Sequence, residues 1–307
     1  MVLKNVAVTG ALGMLGRHIV SQLKFSNFNV VSISKSFDDT DGCKNWDLMH
    51  WNSNKQFDSL LLSVDVVVHC GAAVPSANRR YSDSELFYAN VGATLNLARW
   101  CRKRNIPFIY ISGAIVYKNP DSRHIKESSI RGYNDIGGFY GETKLISEDL
   151  LYREKNEGLR LSIIRPSSIY GCGLSKEKLI SLFLDKAINN NLIQIKEPIN
   201  DCVDLIHAFD VSSAIVSIIN KNEWDTFNIS SGKCVSIVGI AETCISIVGS
   251  GKIEILGDKT DNFRKRYVLD NSYSIKKLDW SPCISLHDGI SSVFEEKIIY
   301  YNGGGVH

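Results

Sequence analysis

At 307 residues the chain has room for one large or two modest folded units, and 44% hydrophobic against 22% charged residues is the balance of a globular, water-soluble protein. A net charge of +2 excludes the strong field of a nucleic-acid or anionic-membrane binder, and no apolar run approaches the roughly 18 residues that span a bilayer. Met1-Val2-Leu3-Lys4-Asn5 leads straight into a strand-like segment, so a cytoplasmic protein without signal peptide is expected; its 8 scattered cysteines, with no C-x-x-C pair, then read as free thiols and no metal site.

Val2 to Thr9 is a valine-rich run that predicts a buried strand. From Met14 to Lys24, Leu15, Ile19, Val20 and Leu23 fall at helical spacing, and Asn29 to Ile33 reads as a second strand. Between the first strand and the helix stand Gly10, Gly13 and Gly16, spaced G-x-x-G-x-x-G rather than G-x-G-x-x-G. Such a turn lets backbone and the positive end of a helix approach a pyrophosphate. Gly10, Leu12, Gly13, Met14, Leu15 and Gly16 are therefore candidate dinucleotide-binding residues. The second strand ends Ile33-Ser34-Lys35-Ser36, with no carboxylate before Asp38. Ser34 and Lys35 can donate to a ribose 2′-phosphate, which favours NADP(H). NAD(H) is the alternative, with Asp38 or Asp39 turned back to the ribose.

The alternation continues with a strand over Asp65 to Cys70, a long helix over Asp83 to Arg104 and a strand over Pro107 to Ser112. A helix over Tyr140 to Asn156 and a strand over Leu159 to Arg165, ending before Pro166, follow. This predicts an α/β fold with a doubly wound parallel Rossmann sheet. After about Tyr170 the rhythm breaks into shorter elements, among them a helix over Asp210 to Asn220 and a strand over Thr226 to Ile229. Residues 1–170 are accordingly read as the dinucleotide-binding domain and 171–307 as mainly a smaller α/β substrate-binding lobe, with interleaving between them.

Tyr140 and Lys144 lie one helical turn apart and share a face. A free phenol, with a pKa near 10, is a poor base at neutral pH, and a lysine beside it favours the phenolate. The pair can then move a proton at a carbon–oxygen bond while hydride moves to or from nicotinamide, and Lys144 can also hold the ribose. Loops at the carboxyl ends of parallel strands hold ligands, which makes Val74, Pro75 and Ser76, in the loop from Ala73 to Asn78, the expected wall of the substrate pocket.

These segments together resemble the extended short-chain dehydrogenase/reductase family, in its nucleotide-sugar epimerase, dehydratase and reductase group. The resemblance runs over nearly the whole chain: TGALGMLG, Asp47-Leu48, DVVVHCGAA, Asn90-Val91, IVY, YGETK, RPSSIYG, Asp204 to His207, and Leu278 to Pro282. It implies cofactor contacts from Asp47 and Leu48 at the adenine, and from Gly71, Ala72, Ala73, Asn90, Ile111, Pro166 and Ser168. It also implies a nucleotide diphosphate-sugar substrate in the second lobe, and a homodimer built on the Asp83–Arg104 and Tyr140–Asn156 helices.

Two positions depart from the pattern. The family's Ser or Thr four residues before the tyrosine of the V-Y pair is Gly113 here, counted from Tyr117. Either Ser112, one residue earlier and on the opposite side of a regular strand, or Ser76, Ser167 or Ser168 substitutes for the hydroxyl, or the chemistry is slow or altered. The Arg that clamps a diphosphate before Asp204 in relatives is Val203, and Arg264 and Arg266 are its expected replacements. The resemblance and Lys35 lead to an NADPH-dependent 4-keto reductase of nucleotide sugars, with a 4-epimerase holding NAD as the alternative. Ala114 and Ile115 count against a dehydratase, and Gly113 alone supports a catalytically weak dinucleotide-binding protein.

Overall fold

The computed structural model describes residues 4–35, 42–50, 54–119, 124–134, 136–196, 201–256 and 266–302. Val6, Ala7 and Val8 are fully buried in β1 (Asn5–Thr9), as a parallel strand covered on both faces requires. Beside it run β2 (Asn29–Ser34), the short β3 (Lys44–Asn45) and β4 (Val66–His69), and beyond β4 come β5 (Phe108–Ile111) and β6 (Leu161–Pro166). The sheet has seven strands, every neighbouring pair parallel, and its order reverses between β1 and β4. In such sheets ligands lie outside the carboxyl ends of the strands at the reversal.

One face of the sheet is covered by α1 (Met14–Phe25), whose buried Leu15, Ile19 and Leu23 follow the predicted spacing. The other carries α2 (Asn54–Leu60), α4 (Ala93–Lys103) and α5 (Gly138–Asn156), with Phe57, Leu97, Ala98 and Leu151 against Phe108, Tyr110 and Ile163. The predicted Asp83–Arg104 helix is one helical course in three parts. Ser82 starts it with a capping box to Glu85, α3 (Asp83–Leu86) leads into a π-turn over Phe87–Gly92, and α4 completes it. The π-turn presents Asn90 to the interior, and such turns mark functional sites.

The second lobe has its own core, with Phe183 and Leu184 of α6 (Leu179–Ile188), Ile193 of β8 (Leu192–Lys196) and Ile240 of α8 (Ile237–Val248). Around it stand β7 (Ser168–Tyr170), β9 (Cys202–His207), β11 (Cys234–Ser236), β12 (Lys252–Leu256), β13 (Arg266–Tyr267), α9 (Ser272–Leu278) and α10 (Leu286–Asn302). A helix and a strand from this part of the chain pack with the large sheet, the kind of interleaving expected from the sequence. The helix is α7 (Ala208–Lys221), whose Val211 and Ile215 join the core around α1, and the strand is β10 (Thr226–Ile229), which edges the large sheet beside β6. A correction concerns the thiols. Cys202 and Cys234 form a disulfide because antiparallel β9 and β11 bring their Cα atoms to 5.4 Å. Cys43, Cys70, Cys101, Cys172, Cys244 and Cys283 form no disulfide among the described residues. No helix among the described residues is long and apolar enough to cross a membrane.

Candidate active site

A cavity of about 400 Å³ opens at the strand-order reversal. Gly10, Leu12, Gly13, Met14, Leu15 and Gly16 line it, as do Ser34 and Lys35, expected at the ribose, and Asp47 and Leu48, expected at the adenine. Gly71, Ala72, Ala73 and Val74, after β4, line it too. Gly10 has φ +68°, and a Cβ there would stand 2.7 Å from Gly71 Cα; one on Gly16 would collide with the Gly10 carbonyl oxygen. The glycines thus pack the chain against itself as well as clearing the cleft. No side chain caps the N-terminus of α1 at Gly13, so its N–H groups remain for an anion. A cradle of this form, closed by an adenine-end carboxylate, fits a dinucleotide. Sequence reasoning did not find Thr9, Trp46, Met49, Cys70, Arg79, Tyr81 and Ala89, which also line the cavity; only their proximity in space marks them.

Lys35 is not poised alone. Its Nζ stands 2.8 Å from Asp47 Oδ2, and Asp47 also accepts from Met49 N at 3.0 Å. Burial works to raise the Asp47 pKa, but Lys35, the Met49 N–H and His50 outweigh it and hold the carboxyl below its usual range. Ser36, Asp38 and Asp39 lie outside the described residues.

Tyr140 and Lys144 project from the first turns of α5. Lys144 is buried; its Nζ donates to the Ile111 carbonyl at 2.8 Å and lies 4.8 Å from the centre of the Tyr110 ring and 5.9 Å from that of Tyr140. The phenol pKa expected to fall does not. Burial, with the Cys70 thiol acting the same way, pushes Tyr140 up to about 12. Burial also pushes Lys144 down to about 8, against the pull of Cys70 and Glu148. Desolvation wins because the ammonium is directed at a carbonyl rather than at the phenol.

Ser112 continues the β5–β6 ladder, its N–H donating to Ile164 O at 2.8 Å. Strand alternation therefore puts it on the face of Tyr110, the ring beneath Lys144. It is 7% exposed, and its Oγ meets no partner among the described residues. Gly113 is extended, with φ 178°, and a Cβ there would meet Ile115 Cγ2 at 3.7 Å, an ordinary contact.

Other expected contacts are drawn off into the scaffold. Asn90 closes no part of the cavity; it takes Ala73 N at 2.7 Å and gives to Ala73 O at 3.0 Å and Thr143 Oγ1 at 3.2 Å, fixing the loop after β4 to α5. Ser167, expected at the substrate, donates to Asp204 Oδ1 at 3.1 Å instead. That fully buried carboxylate also collects Ser231 N, Ser231 Oγ and Leu269 N, as an unpaired charge in the interior must. Ile111 contributes its carbonyl to Lys144, while Pro166 is buried at the end of β6 and Ser168 exposed at the start of β7, both off the cavity wall. Pro75 and Ser76 are exposed beside Val74. Arg264 lies outside the described residues, and of Arg266 only the backbone is described, paired in β13 with Cys202.

The sequence model of the family described as "NAD dependent epimerase/dehydratase family" matches residues 6–230. The chain is 28% identical over 313 residues to a putative UDP-glucose 4-epimerase of Methanocaldococcus jannaschii, across 94% of this chain and 96% of that one. It is 23% identical over 312 residues to UDP-glucuronic acid decarboxylase 1 of Xenopus tropicalis, across 97% of this chain and 72% of the relative. The fold is also that of the Thermus thermophilus UDP-glucose 4-epimerase solved with NAD, at a TM-score of 0.80 and 17% identity over 98% of this chain and all of that one.

Proposed function

Because this chain belongs to the NAD dependent epimerase/dehydratase family, we propose that it oxidises and re-reduces carbon 4 of the sugar in a nucleotide diphosphate-sugar, as a 4-epimerase working with NAD. The observation that carries the choice is the 2.8 Å contact of Lys35 with Asp47. The NADPH-dependent 4-keto reductase reading needs that ammonium for a 2′-phosphate. A phosphate of charge near −2 beside Asp47 would have to displace the carboxylate, whereas a 2′-hydroxyl asks for no such exchange.

Gly10, Gly13, Gly16 and the N-terminus of α1 would hold the dinucleotide phosphates, with Asp47 and Leu48 at the adenine. Bound there, the dinucleotide supplies a hydride acceptor and donor at its nicotinamide. Tyr140, acting in its ionised form with Lys144 behind it, takes the proton of the sugar hydroxyl and returns it to the same oxygen. The phenolate forms only once the positive charge of a bound dinucleotide stands beside a phenol that burial otherwise holds up at about 12. Lys144, held by the Ile111 carbonyl, keeps positive charge behind the phenol and orients it. Ser112, the orphaned hydroxyl on the Lys144 side of the sheet, donates to the sugar oxygen in place of the side chain absent from Gly113.

The cofactor content of freshly purified protein, followed by assays with C4-epimeric nucleotide sugars, tests this. Retained NAD and interconversion without net change at 340 nm are expected. Consumption of added NADPH with a 4-keto sugar would restore the reductase. A gain-of-function test addresses the hydroxyl: since a Cβ fits at Gly113, Gly113→Ser should raise turnover, by up to the roughly 10²–10³-fold that such a donor is worth. An unchanged rate in a folded variant would mean that Ser112 already fills the role.

A further inference from the structure

Lys35, Asp47 and Arg79 are the charged side chains on the cavity wall, and the Lys35–Asp47 pair leaves Arg79 uncompensated. No carboxylate among the described residues pairs with Arg79. Its guanidinium lies 5.1 Å from the centre of the Tyr81 ring. Tyr81 in turn packs against the buried Ala73, Leu86 and Ala89, the same cluster that Leu48 and Tyr140 pack against.

The loop that carries it is fastened at both ends of a tight turn. Ser76 and Arg79 exchange backbone bonds, Ser76 N to Arg79 O at 3.0 Å and Arg79 N to Ser76 O at 3.2 Å. From the second lobe, Glu177 accepts from Ala77 N and from Asn78 Nδ2, each at 3.0 Å. A cation is thereby kept on the wall of a cavity that the uncapped, positive end of α1 also lines. Arg79 is exposed and open to a ligand, and an anion in the cavity would be drawn both to it and to the helix end. The same cavity also holds an orphan donor: Trp46 is 3% exposed, lines it, and its Nε1–H meets no acceptor among the described residues.

We propose that Arg79 is a ligand for a diphosphate bound in this cleft, gripping its oxygens with the planar guanidinium. The inference rests on the dinucleotide reading of the cleft. It adds a phosphate ligand from the loop after β4, in a chain where Val203 stands at the position of the arginine before Asp204. The diphosphate belongs either to the dinucleotide or to the nucleotide sugar, and the two sources separate by titration.

Isothermal calorimetry of the full chain with NAD, and separately with UDP, dTDP and GDP, would be compared between wild type and Arg79→Gln, with Arg79→Lys as the charge-keeping control. Loss of roughly 10- to 100-fold in affinity for NAD in Arg79→Gln, partly recovered in Arg79→Lys, assigns the residue to the dinucleotide. The same loss confined to one nucleoside diphosphate assigns it to the substrate. Unchanged affinity for every probe, with an unchanged melting temperature, overturns the proposal and leaves the dinucleotide reading intact. Failure of the wild type, first stripped of any NAD retained on purification, to bind any of the four removes that reading and this inference together.

Discussion

Tyr140→Phe is expected to lower turnover by about 10²- to 10⁴-fold, the worth of a positioned proton carrier, while NAD binding persists. The substitution removes one oxygen and leaves the ring, which packs with Phe139, Tyr81 and Leu48 around the buried Ala73, Leu86 and Ala89. No side chain on the cavity wall changes with it, since Tyr140 stands beyond the dinucleotide cradle. Single-turnover kinetics with bound cofactor would check this. A variant that retains the wild-type rate would place the proton transfer on another group, and the Cys70 thiol on the cavity wall would be the next to test.

Glu148→Gln is expected to cost about 3–5 kcal/mol of stability, the penalty for removing one partner of a buried ion pair. Glu148 and Arg165 are both fully buried, with Arg165 Nη2 2.6 Å from Glu148 Oε2 and Nε 3.0 Å from Oε1, a two-pronged grip. Arg165 also donates to Tyr117 Oη and to the Glu127 carbonyl, each at 3.0 Å, and Tyr117 passes a bond of 2.5 Å to Asn228. The pair therefore ties α5, one turn past Lys144, to β6, β10 and the loop after β5. Neutralising the carboxylate leaves the guanidinium in the interior with neutral acceptors alone. Arg131, which reaches Glu148 Oε2 at 3.2 Å from a partly exposed site, should matter far less, within about 1 kcal/mol for Arg131→Ala. Urea midpoints of the two variants measure the difference; a Glu148→Gln protein as stable as wild type would show that the network relaxes around a neutral amide.

Much of the scaffold is legible in consecutive residues. The valines of β1, the helical spacing of Leu15, Ile19 and Leu23, and the Tyr140–Lys144 pair on α5 are local patterns, so the parallel sheet, the glycine turn and the helix that carries Tyr140 and Lys144 can be read from neighbouring residues. The glycine spacing marked the cleft for the same reason, since Gly10 and Gly16 must meet across one turn.

What only the tertiary structure decided depends on residues far apart in the chain. The charge of Lys35 reads as free until Asp47 is seen beside it. Ser167 reads as a ligand for substrate until Asp204, 37 residues on, claims its hydroxyl. The rhythm after Tyr170 marks a second lobe with interleaving but not which elements cross over; α7 and β10 are the ones that return to the large sheet, because buried apolar faces such as Val211, Ile215 and Phe227 find their partners in the core around α1. Cys202 and Cys234 meet through strand pairing, and Arg79 faces the cleft through a turn fastened by Glu177 from 100 residues away. Hydrophobic periodicity sets which face of an element is buried; it carries no information about which distant side chain will neutralise a charge or satisfy a hydroxyl, and those pairings decide what remains free to bind.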